Sequence, residues 1–255
     1  MWVMNTAAAE TTAPVSPPAA GSTAAPGSAS ASDPALPASA PVPGSAPVQA
    51  PGPLAAPAVS AVPEAPVRVT VVVGSDREGR FGPVVADWLL ERIGERDDFA
   101  VEVVDVAAAS LPTALSHDPS PSVAAALAEV SPALDAADAF VVLTPEYNHS
   151  FPAGLKNLID RHFTEWRAKP VALVSYGGIS GGLRAAEHLR QVFAELHAVT
   201  VRDTVSFHGA AGAFDTGGRP RDPAGPSAAA TTMLDQLAWW ARALREAKER
   251  RPYGG

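Results

Sequence analysis

Three polar loops carry the residues whose types and spacing could do chemistry. The first is Gly74-Ser75-Asp76-Arg77-Glu78-Gly79-Arg80-Phe81-Gly82, followed by Pro83. It offers a hydroxyl, two guanidinium groups and glycine-freed backbone where a helix would begin, which together describe an oxyanion cradle with phosphate as its natural ligand. Asp76 fits only if its carboxylate points away, and the plainer alternative is a solvated turn whose arginines pair with Glu78 and Asp87. The second loop is Thr144-Pro145-Glu146-Tyr147-Asn148-His149-Ser150. Glu146 and His149 are a conceivable general acid and base, yet Pro145, Tyr147 and Asn148 suit better a shaped wall for a flat ligand. An ordinary strand-to-helix turn capped by Asn148 or Ser150 is the alternative.

The third loop, Ser175-Tyr176-Gly177-Gly178-Ile179-Ser180-Gly181-Gly182, supports two readings. Gly177 and Gly178 let backbone approach a ring system closely and donate amides to its edge. Gly178 to Gly182 also satisfies G-x-S-x-G, the nucleophile pattern of serine hydrolases, with Ser180 as nucleophile and His208 plus Asp203 or Asp215 completing a triad. No H-G-G-G oxyanion segment accompanies it, and a hydrolase would leave the first two loops without a role. The six histidines show no H-E-x-x-H spacing, so no metal centre is expected.

Each loop follows an apolar run and precedes a helical pattern. Residues 67–73 are β-branched and read as a strand buried on both faces, and Val84, Val85, Trp88, Leu89 and Ile93 then recur at helical spacing. Residues 99–106 form a second strand, 111–121 a long loop, and 123–134 an Ala-rich helix with Pro132 near its end. A third strand at 139–143 leads to a helix carrying Leu155, Leu158, Ile159, His162 and Phe163, and a fourth at 169–176 leads to one marked by Leu183, Ala186, Leu189, Phe193 and Leu196. Residues 199–205 are a fifth strand, 210–226 a Gly/Pro-rich loop, and Met233, Leu237, Trp240 and Leu244 the core of a last helix. Strands alternating with helices require parallel pairing and right-handed crossovers. The expected fold is therefore α/β, a doubly wound five-stranded sheet in the flavodoxin-like order 2-1-3-4-5, whose crevice lies where the first and second of the polar loops emerge.

Composition bounds the rest. Of 255 residues, 1–66 are nearly all Ala, Pro, Ser, Gly, Thr and Val, with Glu10, Asp33 and Glu64 as the sole charges. Such a stretch offers too few large apolar groups to offset ordering entropy, so it reads as a disordered low-complexity tail ahead of one folded domain at 67–251. It lacks the basic and apolar regions of a secretory signal. The net charge of −8 argues against nucleic acid as partner, and no apolar run of membrane-spanning length occurs. Absence of cysteine removes disulfides and thiolate chemistry and suits a cytoplasmic setting.

Taken together, Gly74-Ser75-x-Arg77-x-Gly79-Arg80-x-Gly82, Thr144-Pro145-Glu146-Tyr147-Asn148, Gly154-Leu155-Lys156-Asn157 with Asp160, and Ser175-Tyr176-Gly177-Gly178 with Gly181-Gly182 resemble the NADPH-dependent FMN reductase family, which includes quinone, azo-dye and chromate reductases. The resemblance spans the whole expected domain. It implies bound FMN, NADPH or NADH as co-substrate, a small-molecule electron acceptor, ping-pong turnover, and a homodimer or homotetramer. It also implies that Ser75, Arg77, Gly79, Arg80, Phe81 and Gly82 hold the FMN phosphate. Pro145, Glu146, Tyr147 and Asn148 would line the isoalloxazine, and Ser175, Tyr176, Gly177 and Gly178 would border its other edge. No protein side chain need act as nucleophile, because the cofactor carries the chemistry. An electron carrier without nicotinamide activity is the second reading, although such carriers tend to use hydroxyls and amides for phosphate where this loop offers arginines.

Overall fold

The computed structural model describes residues 65–254. The expected tail thus lies outside the described residues, apart from Ala65 and Pro66. Five strands form one parallel sheet, β1 (Val67–Val73), β2 (Phe99–Asp105), β3 (Ala139–Pro145), β4 (Pro170–Tyr176) and β5 (Val199–Phe207), in the order β2-β1-β3-β4-β5. This is the flavodoxin-like order read from the sequence. β3 and β4 are buried at every position, as the central strands of a sheet covered on both faces must be.

Helices cover the two faces. α1 (Gly82–Gly94) and α7 (Ala224–Arg250) pack over one, where Val85, Leu89, Met233, Leu234 and Leu237 close the core. α3 (Pro121–Ala136), α4 (Ala153–Asp160) and α5 (Leu183–Glu195) pack over the other, around Phe140, Leu155, Trp166 and Phe193. Phe140 and Trp166 stack tilted with centroids 4.5 Å apart, a contact that fills the space beneath α3 and α4. Two four-residue helices, α2 (Val106–Ala109) and α6 (Ala210–Ala213), escape sequence reading because each is a single turn. α2 is nucleated by the Asp105 carboxylate, which accepts from Ala107 N at 3.0 Å.

Pro132 does not end its helix. α3 continues to Ala136, although a proline inside a helix costs about 3 kcal/mol. Tertiary contacts hold the final turn: Thr70 Oγ1 donates to Ala133 O, Lys169 Nζ donates to Leu134 O and Asp135 O, and Leu134 is fully buried. α4, in contrast, is shorter than its apolar stripe suggests and stops at Asp160. His162 lies beyond it, buried. Its Nδ1–H donates to Leu158 O at 2.8 Å and its Nε2 therefore accepts from Ser131 Oγ at 2.9 Å, which makes it a structural histidine joining α3 to α4.

Candidate functional site

All three polar loops emerge at the C-terminal ends of neighbouring strands, and a fourth, after β5, joins them. Leaving β1, Gly74 N bonds Leu143 O at 2.8 Å, and its Cα sits so close to Leu143 and Leu155 that a side chain there would collide with both. Ser75 follows, 1 % exposed. Its Oγ is buried without a hydrogen bond of acceptable geometry, although the Tyr176 phenol stands beside it. Gly82, the first residue of α1, packs against both groups. A Cβ on it would lie 2.2 Å from Ser75 Oγ and 3.1 Å from the Tyr176 hydroxyl oxygen.

Between these anchors the chain turns through Gly79 at φ 64°, a turn closed over Glu78 and Gly79, and the backbone N–H groups of residues 75–79, Phe81 and Gly82 make no hydrogen bond among the described residues. Free amides at a helix N-terminus, an unpartnered buried hydroxyl and a nearby guanidinium are what a phosphate monoester needs. The FMN phosphate therefore fits the residues present. Arg77 is the guanidinium that remains available. It lies 5.2 Å over the Tyr147 ring and forms no ion pair among the described residues.

Arg80 has another partner. Its Nη1 donates to Ser75 O at 2.7 Å, and both Nη atoms are bound by the Asp105 carboxylate, a fork that raises its pKa chiefly through that hydrogen bond. Arg80, expected from the sequence to hold an oxyanion, here ties the loop to the end of β2. Neither Glu78 nor Asp87 is the partner. Asp76 points away as the cradle requires: a Cβ on Gly154 of α4 would stand 2.3 Å from its Oδ2, which places the carboxylate against α4. There it lines a separate cavity of about 220 Å³ with α2 and Asn157.

The loop after β3 is a tight turn. Tyr147 and Ser150 exchange N–H···O bonds of 2.8 and 3.1 Å, with Asn148 at φ 48° and His149 at φ 76° between them. Two successive left-handed residues match a type I′ turn, which suits asparagine and strains histidine. The turn presents the Tyr147 ring while burying its hydroxyl oxygen, again without a partner. Burial raises the Tyr147 pKa, opposed by Arg77. Asn148 and His149 are exposed at the tip. Glu146 turns back instead. Its carboxylate accepts from Ser180 Oγ, from Arg184 N at 3.3 Å and from Arg184 Nη1 at 3.0 Å. Desolvation pushes its pKa up, but these partners outweigh it and hold the carboxyl below its ordinary value. Glu146 is a structural anion here, with its proton already gone.

Near the end of β4, Ser175 is fully buried and its Oγ donates to Gly181 O at 3.0 Å, so its side chain folds the loop that follows. Tyr176 is buried as well, and burial lifts its phenol to about 12, which keeps it neutral at any physiological pH. Gly177 and Gly178 give their carbonyls to Ala210 N and Gly209 N, drawing the β5–α6 segment alongside. That segment was not singled out in the sequence. A glycine at φ 54° followed by small residues after the fifth strand was the available signal.

These four loops enclose a cavity of about 490 Å³ lined by Arg77, Gly79, Phe81, Pro145, Glu146, Tyr147, Tyr176, Gly177, Gly178, Gly209, Ala210 and Ala211. Its size is that of a cofactor site, and aromatic rings and glycine backbone form its walls. Ser75, Arg80, Gly82, Asn148 and Ser175 are not among the residues that line it.

The hydrolase constellation does not assemble. Ser180 donates to Glu146, while His208 Nδ1–H donates to Ile179 O at 3.1 Å. Asp203 is bound to Gln236 and Arg202, and Asp215 to the amides of Gly217 and Arg219.

Residues 67–212 match the family model described as NADPH-dependent FMN reductase. The chain is 34 % identical over 122 residues to an NAD(P)H-dependent FMN reductase of Schizosaccharomyces pombe, a match covering 45 % of this chain and 60 % of that relative, under two thirds of its length. It is 32 % identical over 142 residues to the NAD(P)H-dependent FMN reductase LOT6 of Saccharomyces cerevisiae, covering 49 % of this chain and 73 % of the relative. Among solved structures, FerB, a flavoenzyme NAD(P)H:(acceptor) oxidoreductase from Paracoccus denitrificans, superposes with a TM-score of 0.56 over 69 % of this chain and 98 % of that one. At 22 % identity that likeness speaks for the fold alone.

Proposed function

Since the chain belongs to the NADPH-dependent FMN reductase family, we propose that it is an NAD(P)H-dependent FMN oxidoreductase whose cofactor occupies the cavity between the β1, β3, β4 and β5 loops. Bound FMN would supply the redox chemistry, taking hydride from NADPH or NADH and passing the electrons to a quinone, free flavin, azo compound or metal oxyanion in ping-pong alternation. The observation that carries the assignment is the cradle, where Ser75 buries a hydroxyl without a hydrogen bond of acceptable geometry, the loop entering α1 carries unpaired amides, and Arg77 lines the adjoining cavity.

The protein's own groups then bind, orient and exclude. Ser75, Arg77 and the α1 N-terminus hold the phosphate, with Arg80 fixing the loop through Asp105. Tyr147 and Pro145 form one wall, and the Gly177–Gly178 backbone the edge. Gly178 N–H makes no hydrogen bond among the described residues, so it is free to stabilise negative charge on a reduced ring. Tyr176, neutral throughout the working pH range, adds a hydroxyl beside Ser75 without adding charge. Turnover between small molecules suits a soluble homo-oligomer in the cytoplasm. Mixing the FMN-loaded protein with NADPH and NADH in a stopped-flow spectrometer tests the proposal. Bleaching of the flavin band with either is expected; no bleaching with both would leave an electron carrier instead.

A further inference from the structure

Glu146 and Ser180 were each read from the sequence as possible reacting groups, and the proposed function uses neither as one. Their geometry points to a different role. β3 and β4 remain paired as far as Pro145 and Tyr176, and Glu146 N still bonds Tyr176 O at 3.1 Å. Beyond that the two cavity walls separate. The β4 wall is a segment with glycine at 177, 178, 181 and 182, the last two at φ 63° and 87°, and its one large apolar side chain, Ile179, is 91 % exposed. It has no hydrophobic anchor of its own, and glycine backbone is entropically costly to hold still.

Ser175, Ser206, His208 and the β5–α6 backbone bond this segment from its own side, and one carboxylate ties it to the opposite wall. Glu146, with its side chain 8 % exposed, receives the Ser180 hydroxyl from the middle of the segment, and the Arg184 amide and guanidinium from the first turn of α5. Its Cβ also packs against Gly177. We propose that Glu146 is a positioning residue that ties the tyrosine wall to the glycine wall, and that Ser180 is its latch, so that the G-x-S-x-G segment serves to hold flavin and performs no hydrolysis. This rests on the FMN reading of the cavity.

The test measures FMN affinity and the visible spectrum of the bound flavin, with melting temperature as a check on the fold. Ser180→Ala removes one hydrogen bond, so FMN affinity should fall by roughly two- to tenfold. Glu146→Ala should lower it further and blur the fine structure of the flavin band. Glu146→Gln, which keeps an acceptor for Ser180 and for the Arg184 amide, should recover most of the loss. Because Ser180 acts mainly through Glu146, its other bond being the long one accepted from Gly182 N at 3.3 Å, the Ser180→Ala/Glu146→Ala double variant should bind FMN little worse than Glu146→Ala alone. Additive losses, or unchanged affinity in Glu146→Ala, would overturn the proposal. Should Glu146→Ala not fold, the same cycle run with Arg184→Met and Ser180→Ala decides it, additivity again being the adverse result. A wild-type protein that takes up no FMN at all would instead overturn the underlying reading of the cavity.

Discussion

Replacing Gly82 with alanine probes the phosphate cradle at its tightest point. The added Cβ would stand 2.2 Å from Ser75 Oγ and 3.1 Å from the Tyr176 hydroxyl oxygen, well inside normal contact. Ser75 is buried, so its hydroxyl must swing to another rotamer or the loop must shift. Overpacking of this kind costs about 1–3 kcal/mol, offset by up to about 1 kcal/mol from the better helix propensity of alanine. A net loss of about 1–2 kcal/mol corresponds to a melting temperature lower by about 2–8 °C for a domain of this size. The effect on cofactor retention should be larger. A hydroxyl turned off a phosphate forfeits a charge-assisted hydrogen bond of about 1.5–3 kcal/mol, or about a 10- to 150-fold weaker FMN affinity. The discriminating arm is Ser75→Gly/Gly82→Ala, which clears the clash with Ser75. Thermal stability should return towards wild type, while FMN affinity stays low because the hydroxyl is gone. Gly94→Ala, where a Cβ meets nothing within 4 Å, is the control. Calorimetry gives the stability and fluorescence titration the affinity. Undiminished FMN binding in Gly82→Ala would refute the placement of phosphate between Ser75 and the α1 N-terminus.

The two arginines of the same loop should separate. Arg77→Met should weaken FMN binding about tenfold or more with little change in melting temperature, since its side chain faces the cavity and forms no ion pair among the described residues. Arg80→Met should lower the melting temperature and be mimicked by Asp105→Asn, and the reverse pattern in thermal melts and titrations would exchange their roles. Lys169 is 7 % exposed, and burial brings its pKa down to about 8 from an ordinary 10.5. Between these values the unfolded chain binds more protons than the folded one. Stability from this group therefore rises with pH across that window, by up to about 3 kcal/mol. Urea titrations at pH 7.5 and pH 10 should show the rise diminished in Lys169→Met; equal slopes in both proteins would disprove it. His149→Gly removes a left-handed histidine and should stabilise the protein by about 1 kcal/mol in the same denaturation assay, while a loss would mean that the ring makes compensating contacts.

Periodicity and loop chemistry were enough to read the five strands, their order and the three polar loops, because buried parallel strands write continuous apolar runs and glycine marks where backbone must turn or approach closely. Ser75, Gly82, Tyr147 and Gly177 belong to that legible part: each is fixed by a local need that a short sequence pattern expresses. What a side chain touches across the fold is another matter. Arg77 and Arg80 are three residues apart in one loop, yet one faces the cavity and the other is claimed by Asp105 at the end of β2. Glu146 and Ser180, each weighed in the sequence as a possible reacting group, bind each other. Pro132 stayed inside a helix because Thr70 and Lys169, far along the chain, hold its last turn. The β5–α6 wall entered the site only because Gly177 and Gly178 draw it in. Sequence alone thus determined the scaffold, which follows from local pattern, and through resemblance to a family it implied the kind of ligand. The tertiary structure decided which polar groups remain free to meet that ligand, since a charge or hydroxyl goes to the nearest partner in space, and spacing along the chain does not reveal it.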